Sequence, residues 1–277
     1  MILNLEGRSH QGLVRDHNED SVVVGCDISR TRATSQRQEV TSLEHLFVCA
    51  VADGMGGHEA GRRASFLACS AIAEASQGLG QGVGFEALRR AVDQRLTELH
   101  QRFVSSGSGK ERGRGHMGTT ITGLFVGSQV AAIVHAGDSR LYRFRDSLLV
   151  QLTQDHSLRA VTGDLSISRN LLSNAIGGGG AVHLEWIDLT GRILEGDRYL
   201  LCTDGLWESL EERYLESVLM GQDPGKVADD LLSAALEAGG QDNISCLVCD
   251  VVSPSAEAPG YRPPGMLDGM AASDNHR

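Results

Sequence analysis

Aromatic residues make up only 4% of the 277-residue chain, so a packed core has to be built from aliphatic side chains. Basic residues are also in short supply. The chain carries 25 Lys and Arg against 36 Asp and Glu, a formal net charge of −11, which argues against a nucleic-acid footprint because phosphate backbones select basic faces. The excess of acids fits cation binding or plain surface solubility equally well. No apolar run approaches the ~20 residues that a membrane-spanning helix needs. Residues 1–6 lack the basic start and long apolar stretch of a secretory signal, so the cytoplasm is the expected compartment. Proline is scarce and falls mostly beyond Ser253, where residues 253–277 show no period and are expected to be a disordered tail.

Six cysteines are present: Cys26, Cys49, Cys69, Cys202, Cys246 and Cys249. Most lie inside apolar runs, where a thiol acts as a small hydrophobe. Cys246 and Cys249 have the spacing of a zinc or redox pair, but residues three apart on a strand point to opposite faces, which disfavours both uses.

Against these absences, two stretches share one pattern. Residues 46–51 form an apolar run that ends at Asp53-Gly54-Met55-Gly56-Gly57-His58, and residues 198–202 form another that ends at Thr203-Asp204-Gly205. A buried strand that delivers a carboxylate to its open end, followed by glycines that let a ligand approach the backbone, accounts for both. Asp20 precedes a strand over residues 21–25, and Asp242 opens the last strand, residues 244–251. If two stacked sheets bring these ends together, several carboxylates share one cleft and remain ionised only around cations. Carboxylates with a glycine carbonyl, and no His or Cys, suit Mg²⁺ or Mn²⁺ better than zinc. Taken singly, each aspartate reads equally well as a turn residue.

The rest of the chain gives a coarse frame. A strand over residues 2–10 is followed by a polar loop, and residues 26–44 have no apolar period and read as a surface insertion. Helices are expected over residues 59–75 and 85–103, the latter with Leu88, Val92, Leu96 and Leu99 on one face. Residues 105–116 read as a flexible connector whose Lys110, Arg112 and Arg114 face solvent. Four strands then form an antiparallel meander from residue 119 to 152 with turns at 127–128, 137–138 and 146–147. A polar flap, residues 156–174, precedes strands over 182–189 and 198–202. A short helix over 206–210 and a firmer one over 224–238 follow, the latter with Asp223 as N-cap, Pro224 at its first position and Gly239 after its end. Strands and helices in runs, not in alternation, indicate an α+β fold: an antiparallel sandwich with helices packed outside, and one domain over residues 1–252.

Six stretches, Arg15-x-x-Asn18-Glu19-Asp20, Asp53-Gly54-Met55-Gly56-Gly57-His58, Gly118-Thr119-Thr120, Gly137-Asp138-Ser139-Arg140, Thr203-Asp204-Gly205 and Gly239-Gly240-Gln241-Asp242-Asn243, occur in the order of a known motif series. The chain resembles the bacterial form of the metal-dependent (type 2C) protein serine/threonine phosphatases over about residues 8–251. The resemblance implies an α/β/β/α four-layer sandwich, two antiparallel β-sheets flanked by helices, with two Mn²⁺ or Mg²⁺ ions at one end. It implies that Asp53 bridges both ions, that the Gly54 carbonyl binds one, that Asp204 and Asp242 bind the other, and that Glu19 and Asp20 act through water. A third metal near Asp138, completed by Asn170, is a feature of bacterial members. Hydrolysis of phosphoserine and phosphothreonine by direct attack of a metal-bridging hydroxide is the implied reaction, with Arg15 holding the phosphate and no phosphoenzyme.

Three departures stand out. Met55 occupies the position where animal members carry a histidine, which leaves His58 as the candidate proton donor, with a capping or supporting role as its plain alternative. Arg62 and His10 replace acidic residues common in bacterial members. The flap is shorter than usual. Competing readings are an inactive phosphopeptide-binding module on the same fold and a specialised phosphatase of anti-sigma regulators. Retention of all four metal aspartates disfavours the first, and the presence of Arg15 and Asp138 disfavours the second. The expected partners are phosphorylated proteins, substrates of a bacterial Ser/Thr kinase, and the kinase itself.

Overall fold

A computed structural model describes residues 1–30, 34–39, 46–57, 59–80, 82–107, 117–168, 171–178 and 180–252, with residues 34–39 described by their backbone alone. The chain begins with strands β1 (Ile2–His10), β2 (Ser21–Val24), β3 (Asp27–Ser29), β4 (Thr34–Glu39), β5 (Phe47–Ala52) and β6 (Gly54–Met55). Helices α1 (Glu59–Gln77) and α2 (Phe85–Gly107) follow, then β7 (Gly118–Thr119), β8 (Ile121–Val126), β9 (Ala131–Ala136), β10 (Arg140–Arg145) and β11 (Leu148–Gln151). The remainder is α3 (Leu158–Thr162), β12 (Glu185–Asp188), β13 (Arg198–Cys202), α4 (Asp204–Trp207), α5 (Glu212–Leu219), α6 (Pro224–Glu237) and β14 (Ile244–Val252).

Two six-stranded sheets result, with orders β11-β10-β13-β14-β1-β4 and β12-β9-β8-β5-β2-β3, and every pairing is antiparallel. Alternation along the strands decides what each face buries. On β14, Leu247, Cys249 and Val251 point between the sheets, where they meet Val51, Leu124 and Leu201. Ile244, Cys246 and Val248 point the other way, onto Leu215, Val227 and Leu231 of α5 and α6. Cys246 and Cys249 thus lie on opposite faces. On the second sheet, Ala50, Phe125 and Val134 pack against Ile72 of α1 and Leu88, Val92 and Leu96 of α2. The layers are α/β/β/α, as the motif order implied, and the cores are aliphatic.

Beyond shifts at element ends, where α2 runs on to Gly107, α4 begins already at Asp204 and β12 is confined to Glu185–Asp188, the structure departs from the sequence reading in four places. Residues 26–44 contribute β3 and β4, one to the edge of each sheet, where an irregular excursion was expected. β4 pairs with β1 through backbone groups, which need no apolar alternation and so leave no sequence signal. The expected meander is two hairpins on different sheets, because the chain crosses from β9 to β10 at Gly137. There φ is +119°, and a Cβ would lie 2.5 Å from Thr120 Cβ, so only glycine fits. α5 was not foreseen, since Leu215 and Leu219 are its only buried residues and make a narrow stripe. The flap carries a short helix, α3, capped by Ser157. The connector cations Lys110, Arg112 and Arg114 and the tail 253–277 lie outside the described residues.

Candidate metal centre

The ends of β2, β5, β13 and β14 and the crossover after β9 converge on one cleft. Its cavity, about 210 Å³, is lined by Arg15, Glu19, Asp53, Gly54, Asp138, Asp204 and Asp242, among others. Asp20 lies behind it, fully buried, with Oδ2 accepting a hydrogen bond from Thr203 Oγ1 at 2.8 Å. Seven of the sequence-predicted residues therefore line one cavity and Asp20 backs it. His58 and Asn170 lie outside the described residues.

Each acid is held through its backbone neighbours. The Asp53 amide donates to Thr120 Oγ1 at 2.9 Å, and its carbonyl accepts from Thr119 Oγ1 at 2.8 Å and from the Thr120 amide at 2.9 Å. This double clamp is what the Gly118-Thr119-Thr120 motif does. Thr120 Oγ1 lies 2.7 Å from Ser139 Oγ, and Thr122 Oγ1 donates to the Ser139 carbonyl at 2.9 Å, so Thr120, with Thr122, also braces the turn that carries Asp138. Asn243 accepts from the Glu19 amide at 2.7 Å and donates to the carbonyls of Gln11 and His17, both at 2.8 Å. Asn18 accepts from the Asp20 amide at 3.1 Å and donates to Ser9 Oγ at 2.9 Å. These two asparagines pin the loop that bears Arg15, Glu19 and Asp20.

Glycines supply the close approaches. A Cβ on Gly61, in the first turn of α1, would sit 1.9 Å from Glu19 Oε2, and one on Gly54 would sit 2.2 Å from the Gly61 carbonyl oxygen. Glu19, Gly54 and Gly61 are thus packed backbone to side chain, and Gly61 was not singled out from the sequence. Met55 pairs with Gly118 across β6 and β7 and offers no polar group there. His10 Nδ1 accepts from the Gly12 amide at 3.0 Å, and Arg62 stands 3.8 Å from Glu59. Neither of these two departures lines the cleft cavity.

Crowding shifts the acids in one direction. Burial, then the neighbouring Asp204, Asp20, Asp138 and Asp242, lifts the Asp53 carboxyl well above its usual range. Asp204 is raised in the same way by burial and then by Asp138, Asp242 and Asp20. Burial first, with Asp242 adding, pushes Asp20 up to about 7, and burial first, with Asp155 adding, pushes Asp138 to about 7. Asp20 Oδ1 and Asp204 Oδ1 are buried with no hydrogen-bond partner. Two orphaned carboxylate oxygens in an all-oxygen donor set fit a hard divalent cation, which would supply the missing ligand bonds and restore ionisation.

Arg15 stands at the rim, half exposed, with Nη2 2.5 Å from Asp242 Oδ2. Arg140, the last residue of the Gly-Asp-Ser-Arg motif, does not line the cleft cavity but a neighbouring one that shares Asp138 with it. It forms a two-pronged pair with Asp155 at 2.9 and 2.7 Å and stacks 3.4 Å from the centroid of the Trp207 ring, whose Nε1 donates to the Asp138 carbonyl at 3.0 Å.

A two-sheet sandwich with an all-oxygen carboxylate cleft at the strand ends defines a class of divalent-cation-binding protein. The family model described as protein phosphatase 2C matches residues 35–237, and the chain belongs to that family. It is 32% identical over 263 residues to the serine/threonine protein phosphatase PstP of Mycobacterium tuberculosis, covering 91% of this chain and 46% of that protein, so the chain spans about half the length of that relative. It is 29% identical to the serine/threonine phosphatase stp of Listeria monocytogenes, over 90% of this chain and 96% of the relative. Among solved structures, the catalytic domain of PstP in complex with two manganese ions superposes with a TM-score of 0.68 at 31% identity, covering 91% of this chain and all of that one.

Proposed function

We propose that this chain is a protein serine/threonine phosphatase that uses Mn²⁺ or Mg²⁺ to hydrolyse phosphoserine and phosphothreonine in proteins, opposing a bacterial Ser/Thr kinase. The observation that carries the reading is the pair of buried, partnerless carboxylate oxygens, on Asp204, which lines the cleft of acids, and on Asp20 behind it. The similarity to the serine/threonine phosphatases PstP and stp, and the two manganese ions in the PstP structure, support it.

In this reading Asp53, the Gly54 carbonyl, Asp204 and Asp242 hold two cations, Glu19 and Asp20 hold their water shell, and Asp138 serves a third. When bound, the cations supply Lewis acidity and make water a nucleophile near neutral pH. The chain's own groups do the rest. Thr119 and Thr120 fix the Asp53 backbone, Asn18 and Asn243 fix the loop below it, and Arg15 offers a planar fork to phosphate oxygens where charge accumulates. His58 is the proposed source of the proton for the leaving alkoxide. All the cysteines are free among the described residues, which fits a reducing cytoplasm. No helix among those residues is long and apolar enough to cross a membrane.

The test is hydrolysis of p-nitrophenyl phosphate and of a phosphothreonine peptide with Mn²⁺, with Mg²⁺ and with chelator. The expected result is turnover that is lost on chelation and restored by Mn²⁺. Turnover that survives exhaustive chelation refutes the reading.

A further inference from the structure

Three ligand-type groups outside the cleft, His135, His156 and Glu185, place one donor atom each within 4.8 Å of one another. The hydrogen bonds show what the cluster is for. The Gly137 amide donates to His156 Nδ1 at 3.2 Å, and the His156 amide donates back to the Gly137 carbonyl at 2.8 Å. Asn174 Nδ2 also donates to Nδ1, at 2.9 Å. The orientation of that amide is pinned because its Oδ1 accepts from the His183 amide and its Nδ2 donates to the His183 carbonyl. With Nδ1 accepting from two N–H groups, the ring proton sits on Nε2, which faces Glu185 Oε2 at 3.3 Å. That nitrogen has no lone pair left for a metal. His135 is engaged at both nitrogens as well, with Thr122 Oγ1 and the Gln154 carbonyl, each at 2.9 Å.

We propose that His156, seated on Glu185, is a positioning residue that fixes the Gly137 and Asp138 turn and ties it to both ends of the flap. Gly137 immediately precedes Asp138, and the neighbouring Asp155 grips Arg140 at the other end of the same turn. Two adjacent residues therefore clamp the turn from both sides. The flap leaves the fold at His156 and returns at Asn174, and the Ser173 amide donates to the His156 carbonyl at 2.8 Å, so both flap ends meet on this one residue. The inference rests on the assignment of Asp138 to the cation site.

The test is calorimetric titration of metal-stripped full-length protein with Mn²⁺, together with hydrogen exchange at the Gly137 amide. Substituting groups that hydrogen-bond metal ligands typically weakens metal binding about 10- to 100-fold, and because His156 acts through the Gly137 backbone, a loss at the lower end of that range is expected for His156→Ala in the class of Mn²⁺ site that Asp138 serves. Faster exchange at Gly137 should accompany it. His156→Asn should recover most of the loss seen in His156→Ala, since its side-chain oxygen takes the place of Nδ1 as acceptor while only the contact to Glu185 goes. If His156→Ala does not fold, Glu185→Ala against Glu185→Gln gives the same comparison, with Gln keeping an acceptor for Nε2. A folded Ala variant with wild-type Mn²⁺ titration and wild-type exchange overturns the proposal. So does a Zn²⁺ site that vanishes in His156→Ala while Gly137 exchange is unchanged, because the cluster would then be a metal site. An Asp138→Asn variant that binds Mn²⁺ as wild type does would instead overturn the assignment of Asp138, with exchange at Gly137 still reporting on His156.

Discussion

Thr120→Val is the substitution that separates scaffold from chemistry most cleanly. Valine keeps the shape of threonine, and Thr120 is fully buried, with its methyl side packed over Gly137. The hydroxyl alone is lost. Removing it leaves the Asp53 amide without its 2.9 Å acceptor and Ser139 Oγ without its 2.7 Å partner. A buried polar group stripped of its partner costs about 1–3 kcal/mol, so the two together cost about 2–4 kcal/mol if Ser139 partly re-pairs. For a domain of this size that corresponds to a fall in melting temperature of about 4–16 °C. Differential scanning calorimetry of metal-stripped protein measures it directly, and Thr120→Ser, which keeps the hydroxyl, is the control. Turnover with saturating Mn²⁺ should fall too, because Asp53 is no longer clamped from both directions. A Thr120→Val protein that melts with or above Thr120→Ser refutes the view that this hydroxyl holds the cleft.

Three further outcomes are expected. In metal-free protein, Asp20 and Asp138 rise from an ordinary 3.8 to about 7, so the folded state binds protons more tightly than the unfolded chain. The stabilisation is complete below about pH 4 and is lost as the pH rises through about 7, which urea midpoints in chelator should show, with Mn²⁺ reversing the trend. A flat metal-free profile would contradict it. Gly61→Ala pushes a methyl to 1.9 Å from Glu19 Oε2 and 2.8 Å from the Gly54 carbonyl oxygen, and should destabilise by about 1–3 kcal/mol and weaken Mn²⁺ binding, read by calorimetry. Arg15→Ala should raise KM for a phosphopeptide and lower kcat, with Arg15→Lys failing to restore either because an ammonium lacks the planar fork. Unchanged steady-state kinetics would remove Arg15 from the phosphate site.

Much of this architecture is legible in single residues. The strand Ile2–His10 and the helix Pro224–Glu237 match their sequence-predicted positions, the helix with Asp223 accepting from the Gly225 amide as its cap. Periodicity and capping are local, and local signals survive in one sequence. The acids at strand ends were legible for the same reason, through an apolar run followed by Asp and Gly. What could not be read depends on partners distant in the chain. Thr120 meets Asp53 across 67 positions and Asn243 meets Glu19 across 224, and no pattern along the chain marks such pairs. His156 read as the first residue of a polar flap, while its ring is fixed by Gly137, Asn174 and Glu185. The switch of sheets at Gly137 was hidden because a two-residue turn within one sheet and a crossover between two sheets use the same glycine.

The clustered carboxylates of Asp20, Asp53, Asp204 and Asp242 exist, on this reading, to hold divalent cations. Calorimetric titration of metal-stripped protein with Mn²⁺, for wild type and for Asp204→Asn, tests it most directly. Wild type is expected to bind at least two Mn²⁺ ions, with binding weakened or reduced in number in the variant while the fold, followed by circular dichroism, is retained. Wild-type protein that binds no Mn²⁺, or an Asp204→Asn variant that titrates identically, would contradict it.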